Sequence, residues 1–232
     1  MAELTAVFRH ALRARLLDER LTMLARAGRI GMHPDAQRAE IVIVAATLAL
    51  GDDDWVFPTA RDHAAALARG VSIERYVHHA LGSASDPHGG RPSPGLFASR
   101  AHRIGSASSL LSQHLTQATG FAWAAKMRGS RDAVLAFLPE TAAEAGGFHS
   151  PLNFAGVTKA PIVFLVKTDG NESPASPVEV ADKAIAYGVE SSTVTADPEA
   201  LEDAVKSALG RAREGGGPTL LEVRIGVDPD PL

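Results

Sequence analysis

The chain has 232 residues, of which 45% are hydrophobic and 22% charged, a balance that is typical of a globular domain with a substantial core. Its formal net charge is -4, and no basic stripe stands out that could neutralise the phosphates of a nucleic acid. It contains no cysteine, which excludes disulfides and thiolate chemistry and suits the cytoplasm. No apolar run reaches the roughly 18 residues that span a bilayer, so we expect neither membrane nor nucleic acid as a partner.

The first part of the chain, residues 1–81, is predicted to be helical. Apolar residues at helical spacing predict an amphipathic first helix that ends near Gly28. The apolar positions of its stripe are Val7, Leu12, Leu16, Leu17, Leu21 and Leu24. Further helices are predicted over 36–50, 61–69 and 72–81, and the three aspartates at 52–54 favour a solvated turn.

Residues 82–106 are predicted to form a long loop, because Gly, Pro and Ser break any regular element there. From residue 107 onwards, short apolar runs alternate with helical patterns. Strands are predicted over 133–138, 161–166, 192–195 and 219–225, and helices over 110–127, through 153–155, and over 178–187 and 198–213. This alternation predicts a mostly parallel sheet covered on both faces. We expect a single domain over 1–232, with its α/β core in 107–232.

Several short blocks follow one another in an order and spacing that point to a known family. The early blocks are Ala27–Gly31, Trp55–Pro58, Arg61–His63 and Gly90–Arg91, and the later ones are Gln117–Lys126, Leu152–Gly156, Arg211–Glu214 and Gly217–Glu222. Together they resemble the alpha subunit of the decarboxylating component of pyruvate and branched-chain 2-oxo acid dehydrogenases, in a shortened form. The resemblance implies the doubly wound α/β fold of thiamine-diphosphate enzymes behind an N-terminal helical extension, with ligands at the carboxyl ends of the strands.

In that family thiamine diphosphate is anchored through Mg²⁺, which prefers hard oxygen ligands. Where the family motif begins with Gly-Asp-Gly, this chain has Pro139-Glu140-Thr141. Where the motif closes with Asn-Asn, the chain has Asp169 in place of the liganding Asn and, two positions later, Asn171, which offers its backbone carbonyl as the next ligand. The resemblance therefore implies Glu140, Asp169 and Asn171 as metal ligands.

The substitutions in this motif predict a weakened cofactor site. Pro139 lacks an N–H, and Thr141 adds a β-branched side chain where the family's glycines let the backbone approach the diphosphate. Asp169 adds a negative charge beside that anion. Arg61 matches the family's diphosphate-binding arginine. No catalytic residue is assigned, because the family's active-site histidine follows the last strand and the sequence stops at Leu232.

Each of these candidates also has a simpler structural interpretation. Glu140 and Asp169 could be solvated loop acids, and Arg61 could be a surface or helix-capping arginine. The histidines in or near the matched blocks are His63, His114 and His149. No carboxylate at a defined spacing nominates any of them as a general base.

Three interpretations of function follow. The first is an alpha-like subunit, a pseudoenzyme with weakened or lost cofactor binding, that assembles with or regulates a beta subunit or associates with itself. The second is a working alpha subunit that keeps a magnesium site at Glu140 and Asp169 and, with a beta subunit, decarboxylates a 2-oxo acid. The third is a binding module that uses the cleft for another small ligand. Whether the chain is itself an enzyme stays open among them.

Overall fold

In this computed structural model the described residues are 2–36, 38–93, 95–169 and 178–226. Asn171, one of the predicted metal ligands, lies outside them. None of the helices in the described ranges is long and apolar enough to cross a membrane.

The order of helices and strands follows the predicted one closely. The helices are α1 Ala2–Arg26, α2 Glu40–Leu48, α3 His63–Ala68, α4 Ile73–Ala80, α5 Gln113–Met127, α6 Gly146–Thr158, α7 Val180–Ile185 and α8 Pro198–Arg213, with a 3₁₀-helix at Glu140–Glu144. The strands are β1 Trp55–Phe57, β2 Val134–Pro139, β3 Ile162–Asp169, β4 Glu190–Val194 and β5 Thr219–Ile225. The predictions for α8 and β5 are confirmed at both ends. The helix predicted from residue 36 begins four residues later.

The five strands form one parallel sheet in the order β1-β2-β3-β5-β4, so the predicted α/β fold class is confirmed. Because side chains alternate along a strand, β2 and β3 contribute side chains to an apolar layer on each face of the sheet. Phe137 and Leu165 belong to a core cluster with residues of α1 to α4 and α8. Leu138 and Phe164 belong to a second cluster with residues of α5, α6 and α7. Helices therefore cover both faces of the sheet.

The sequence pattern did not predict β1, which lies inside the part of the chain expected to be helical. A three-residue strand is too short to show a periodic pattern. It forms because Trp55 pairs with Val134 and Phe57 with Ala136 at the edge of the sheet. As a consequence, the turn that follows β1 lies at the carboxyl edge of the sheet.

The buried stripe of α1 differs from the predicted one. Leu12 and Leu16 are 60% and 57% exposed, whereas Leu17 and Leu21 are buried as predicted. The buried positions at intervals of three and four residues are Val7, Ala11, Ala14, Asp18 and Leu21. Small alanines on this face let α1 pack against α2, α3 and α8, so the larger leucines of the neighbouring row face solvent.

Asp54 does not lie in a solvated turn, as we had expected of 52–54. It is buried, and its two carboxylate oxygens accept hydrogen bonds from the N–H groups of Ala133 at 2.9 Å and Gly51 at 2.8 Å. It also forms an ion pair with Arg213 of α8. The carboxylate thereby joins the turn before β1 to the start of β2 and to the end of α8.

A buried histidine on α5 predicts how stability depends on pH. His114 lies beneath β2, where its Nε2 donates to the carbonyl oxygen of Phe137 at 2.7 Å. Loss of solvent lowers the pKa of His114, although this hydrogen bond opposes the effect. The folded chain therefore keeps this ring neutral at pH values at which the unfolded chain binds a proton.

We expect the free energy of unfolding to fall as the pH drops below the ordinary histidine pKa of about 6.5, by at most about 1.4 kcal/mol per pH unit for this one ring. Above that pH the contribution of His114 is fully present. Urea denaturation between neutral and mildly acidic pH measures the slope. His114→Gln should reduce the slope. An unchanged slope in the His114 variant would contradict the prediction.

Candidate functional site

A cleft of about 300 Å³ opens at the carboxyl edge of the sheet. The segment after β1, the ends of β2 and β3, and the last residue of β5, Ile225, contribute to its walls. Parallel α/β sheets usually place ligands at this edge, because the loops that follow the strands converge there.

Three of the four predicted site residues meet in this cleft. Arg61 lies in the turn after β1, Glu140 begins the 3₁₀-helix directly after β2, and Asp169 is the last residue of β3. The unpredicted strand β1 explains the position of Arg61, since it pairs with β2 and brings the following turn to the same edge. The sequence therefore predicted which described residues converge, while their roles as ligands stay predictions.

Arg61 already has an anionic neighbour. Its Nη1 donates to the backbone carbonyl of Asp35 at 3.0 Å and to the carboxylate of the same residue at 3.1 Å. Both side chains are largely exposed, at 44% and 57%. An exposed pair of this kind contributes at most about 1 kcal/mol, so an anionic ligand could replace Asp35 at little cost.

Lys167 is a cleft residue that the sequence pattern did not single out. It forms an ion pair with Asp62, and the two side chains are only 8% and 0% exposed. The N–H and the hydroxyl group of Thr59 both donate to Asp62 at 2.7 Å. The ammonium also lies 5.8 Å from the ring centre of Phe137. In the sequence, the one feature that could have pointed to Lys167 as a cleft residue is its position directly after the apolar run 161–166.

The described part of the cleft combines carboxylates with an altered backbone at the positions of the family's glycines. The carboxylates of Glu140 and Asp169 line it and are of the ligand type that Mg²⁺ prefers. Pro139 lines it without an N–H to donate, and Thr141 adds a side chain where the family motif has glycine. The charge of Lys167 is compensated by its buried partner. Among the described residues, the lining of the cleft therefore departs from the family's thiamine diphosphate motif at Pro139 and Thr141.

The histidines from the matched blocks lie elsewhere. His114 is buried beneath β2, and His149 is exposed on α6 with its Nδ1 2.6 Å from the hydroxyl group of Tyr187. His63 is the buried first residue of α3. None of these three rings lines the cleft, so the geometry nominates none of them as a general base there.

A doubly wound parallel sheet with a charged cleft at the carboxyl ends of its strands defines the class of α/β proteins that bind ligands at this edge. Within that class, the chain belongs to the family of dehydrogenase E1 components, which matches residues 9–225. The resemblance to alpha subunits of 2-oxo acid dehydrogenases is thereby confirmed.

Individual relatives agree with this assignment. The chain is 34% identical to the 2-oxoisovalerate dehydrogenase subunit alpha of Bacillus subtilis, over 95% of this chain and 69% of that protein. It is 29% identical to the pyruvate dehydrogenase E1 component subunit alpha of Bacillus cereus, over 95% of this chain and 59% of that protein. It is 30% identical to the mitochondrial 2-oxoisovalerate dehydrogenase subunit alpha 1 of Arabidopsis thaliana, of which it spans 43%.

A solved structure from Mycobacterium smegmatis, described as a thiamin diphosphate-dependent enzyme, superimposes with a TM-score of 0.52. The match covers 80% of this chain and 31% of that chain, at 20% sequence identity. At this identity the likeness shows the fold alone, and it agrees with the fold class that the sequence predicted.

Proposed function

We propose that this E1 alpha-like chain has weakened or lost cofactor binding and acts mainly by assembling with, or regulating, a beta subunit of a 2-oxo acid dehydrogenase. The observation that carries the proposal is that Lys167, which lines the cleft, forms a buried ion pair with Asp62. A cation that is already neutralised by a buried carboxylate has little charge left to offer to a diphosphate.

The energetics of this pair support weak binding. Moving Lys167 toward a phosphate would leave Asp62 buried without its partner, and breaking a buried pair costs about 3 to 5 kcal/mol. Arg61 is easier to recruit, because its own pair with Asp35 is exposed. Arg61 and Pro139 both line the cleft, and Pro139 lacks the N–H that a glycine of the family motif would offer to a diphosphate.

An exposed apolar surface supports the assembly part of the proposal. Trp123 and Met127 of α5 are 39% and 69% exposed, and Phe154 and Val157 of α6 are 42% and 76% exposed. The rings of Trp123 and Phe154 are in edge contact, with centroids 5.4 Å apart, so the two helices share one patch. Contiguous apolar patches on soluble proteins often mark interfaces with other chains.

The second candidate is a working alpha subunit with Mg²⁺ held by Glu140 and Asp169. The convergence of these two carboxylates on one cleft favours it. Two carboxylates and a metal could anchor a diphosphate through the ion even where backbone donors are lacking. The two candidates therefore differ in whether thiamine diphosphate binds at micromolar concentration.

Calorimetry with thiamine diphosphate and millimolar Mg²⁺, on the chain alone and with its cognate beta subunit, separates them. We expect no saturable binding. A micromolar site is worth about 8 kcal/mol and a millimolar site about 4. Losing two charge-assisted hydrogen bonds of roughly 1.5 to 3 kcal/mol each accounts for such a difference.

Reverting the motif provides the matched experiment. The triple variant Pro139→Gly, Thr141→Gly, Asp169→Asn should regain measurable affinity in the complex, and the double variant that keeps Asp169 should bind more weakly than the triple. Micromolar binding by the unmodified complex would favour the second candidate. The same holds if Glu140→Ala abolishes a 2-oxo acid decarboxylation that the unmodified complex supports.

A further inference from the structure

Three ligand-bearing side chains converge beside Ala36, a residue that lines the cleft. Asp18 lies on the buried stripe of α1, His33 lies in the segment between α1 and α2, and His63 is the first residue of α3. Their candidate ligand atoms all lie within 4.8 Å of one another. The side chains of the two histidines are only 3% and 0% exposed.

The carboxylate of Asp18 lies between the two rings. Its Oδ1 is 2.7 Å from Nε2 of His33 and 3.9 Å from Nδ1 of His63. The backbone N–H of Ala36 donates to the same oxygen at 3.2 Å, which holds the carboxylate in this orientation. A carboxylate on an otherwise apolar helix stripe is unusual, because a buried charge needs partners.

A hydrogen bond on the far side of His63 decides which of its nitrogens can bind a ligand. Nε2 carries the hydrogen, because it donates to the carbonyl oxygen of Ala14 at 3.2 Å. Burial lowers the pKa of His63, although the nearby Asp18 carboxylate opposes this, and the ring is therefore favoured in its neutral form. Nδ1 is then left with a lone pair that faces Asp18.

This nitrogen has no hydrogen-bond partner among the described residues. Buried polar atoms almost always have partners, so an orphaned one calls for an explanation. Histidines that bind metals usually donate their other ring N–H to a carbonyl or carboxylate group, as His63 does to Ala14. The side chain is thus arranged as a metal ligand would be.

We propose that Asp18, His33 and His63 bind a divalent transition-metal ion, and that Zn²⁺ is the ion that fits best. Two imidazole nitrogens and one carboxylate oxygen suit Zn²⁺, whereas Mg²⁺ prefers an all-oxygen shell. Ligand distances of about 2.0 to 2.2 Å require that the three side chains close around a central ion, and water completes a tetrahedral site as the fourth ligand. His33 now donates its Nε2 hydrogen to Asp18, so it must move that hydrogen to Nδ1 or release it.

The position of this site gives it a structural role. His33 lies two residues before Asp35, the partner of Arg61, and His63 directly follows Asp62, the partner of Lys167. One ion would therefore tie α1 to both segments that carry these aspartates. It would fix the wall of the cleft without contacting a ligand bound in it.

The test uses the full chain, stripped of metal by a chelator and titrated with Zn²⁺ against a chromogenic chelator in millimolar Mg²⁺. We expect one Zn²⁺ per chain, a submicromolar Kd and a higher Tm when the ion is present. His33→Gln should weaken Zn²⁺ binding by more than the roughly 10- to 100-fold that loss of an outer-shell partner causes. His63→Gln should do the same, and Co²⁺ in place of Zn²⁺ should report a tetrahedral site by its visible spectrum.

Two controls separate this site from others. His149→Gln changes an exposed histidine on α6, and Glu140→Gln with Asp169→Asn removes the carboxylates of the cleft. Both should leave the stoichiometry and Kd for Zn²⁺ unchanged. If His63→Gln fails to fold, His33→Gln and Asp18→Asn still decide the matter. The proposal is overturned if the unmodified chain binds no stoichiometric Zn²⁺, or if variants of Asp18 and His33 bind it as tightly.

Discussion

Replacing Asp62 by asparagine should destabilise the protein by about 3 to 5 kcal/mol, because the ammonium of Lys167 is then left buried without its charged partner. Asparagine has almost the same shape and keeps an oxygen that can accept from Thr59. The loss therefore reports the charge rather than a change of packing. Urea denaturation in the presence of a chelator measures it, and the chelator keeps metal binding out of the comparison.

The double variant Asp62→Asn, Lys167→Gln should recover most of this loss, since it removes both buried charges together. A double-mutant cycle then gives the coupling between the two side chains. Lys183→Gln is the matched control, because Lys183 pairs with Glu144, whose side chain is 52% exposed. It should cost less than about 1 kcal/mol. A double variant no more stable than Asp62→Asn alone would show that the ion pair does not cause the effect.

Replacing Gly156 by alanine should have the second large effect, a loss of at least about 3 kcal/mol, at the upper end of what overpacking costs. Gly156 lies on α6, and a Cβ there would overlap the backbone carbonyl oxygen of Tyr187. A backbone atom cannot rotate aside as the end of a long side chain can. The helix must therefore move away from the segment between α7 and β4.

Gly210→Ala is the control for the intrinsic preference of a helix for alanine. Gly210 lies within α8, and a Cβ there would meet no heavy atom within 4 Å. This variant should gain up to about 1 kcal/mol, because glycine is a poor helix former. If both glycine variants shift the urea midpoint in the same direction, the close approach between α6 and Tyr187 is not the reason why residue 156 must be glycine.

The sequence by itself determined the α/β fold class and the ends of α8 and β5. For α8 the reason is local, because Asp197 accepts a hydrogen bond from the N–H of Ala200 at 2.9 Å and Pro198 begins the helix. The continuous apolar runs of β2 and β3 reflect burial on both faces of the sheet. The order of short blocks determined the family.

The sequence also determined part of the candidate site. Glu140 and Asp169 come two and three residues after the ends of predicted strands, and parallel strands bring their carboxyl ends to one edge. Arg61 reached the same cleft only through β1, a strand too short to have a pattern of its own. The family resemblance implied that Arg61 lies in the cleft, and the pairing of β1 with β2 explains how it comes to lie there.

Only the tertiary structure decided which charged groups are buried together. Lys167 and Asp62 are 105 positions apart, and Asp54 meets Arg213 across 159 positions. No local period links residues at such separations, since their contact depends on how α3 and α8 pack against the sheet. The same holds for the grouping of Asp18 with His33 and His63, because three separate segments bring these candidate metal ligands together.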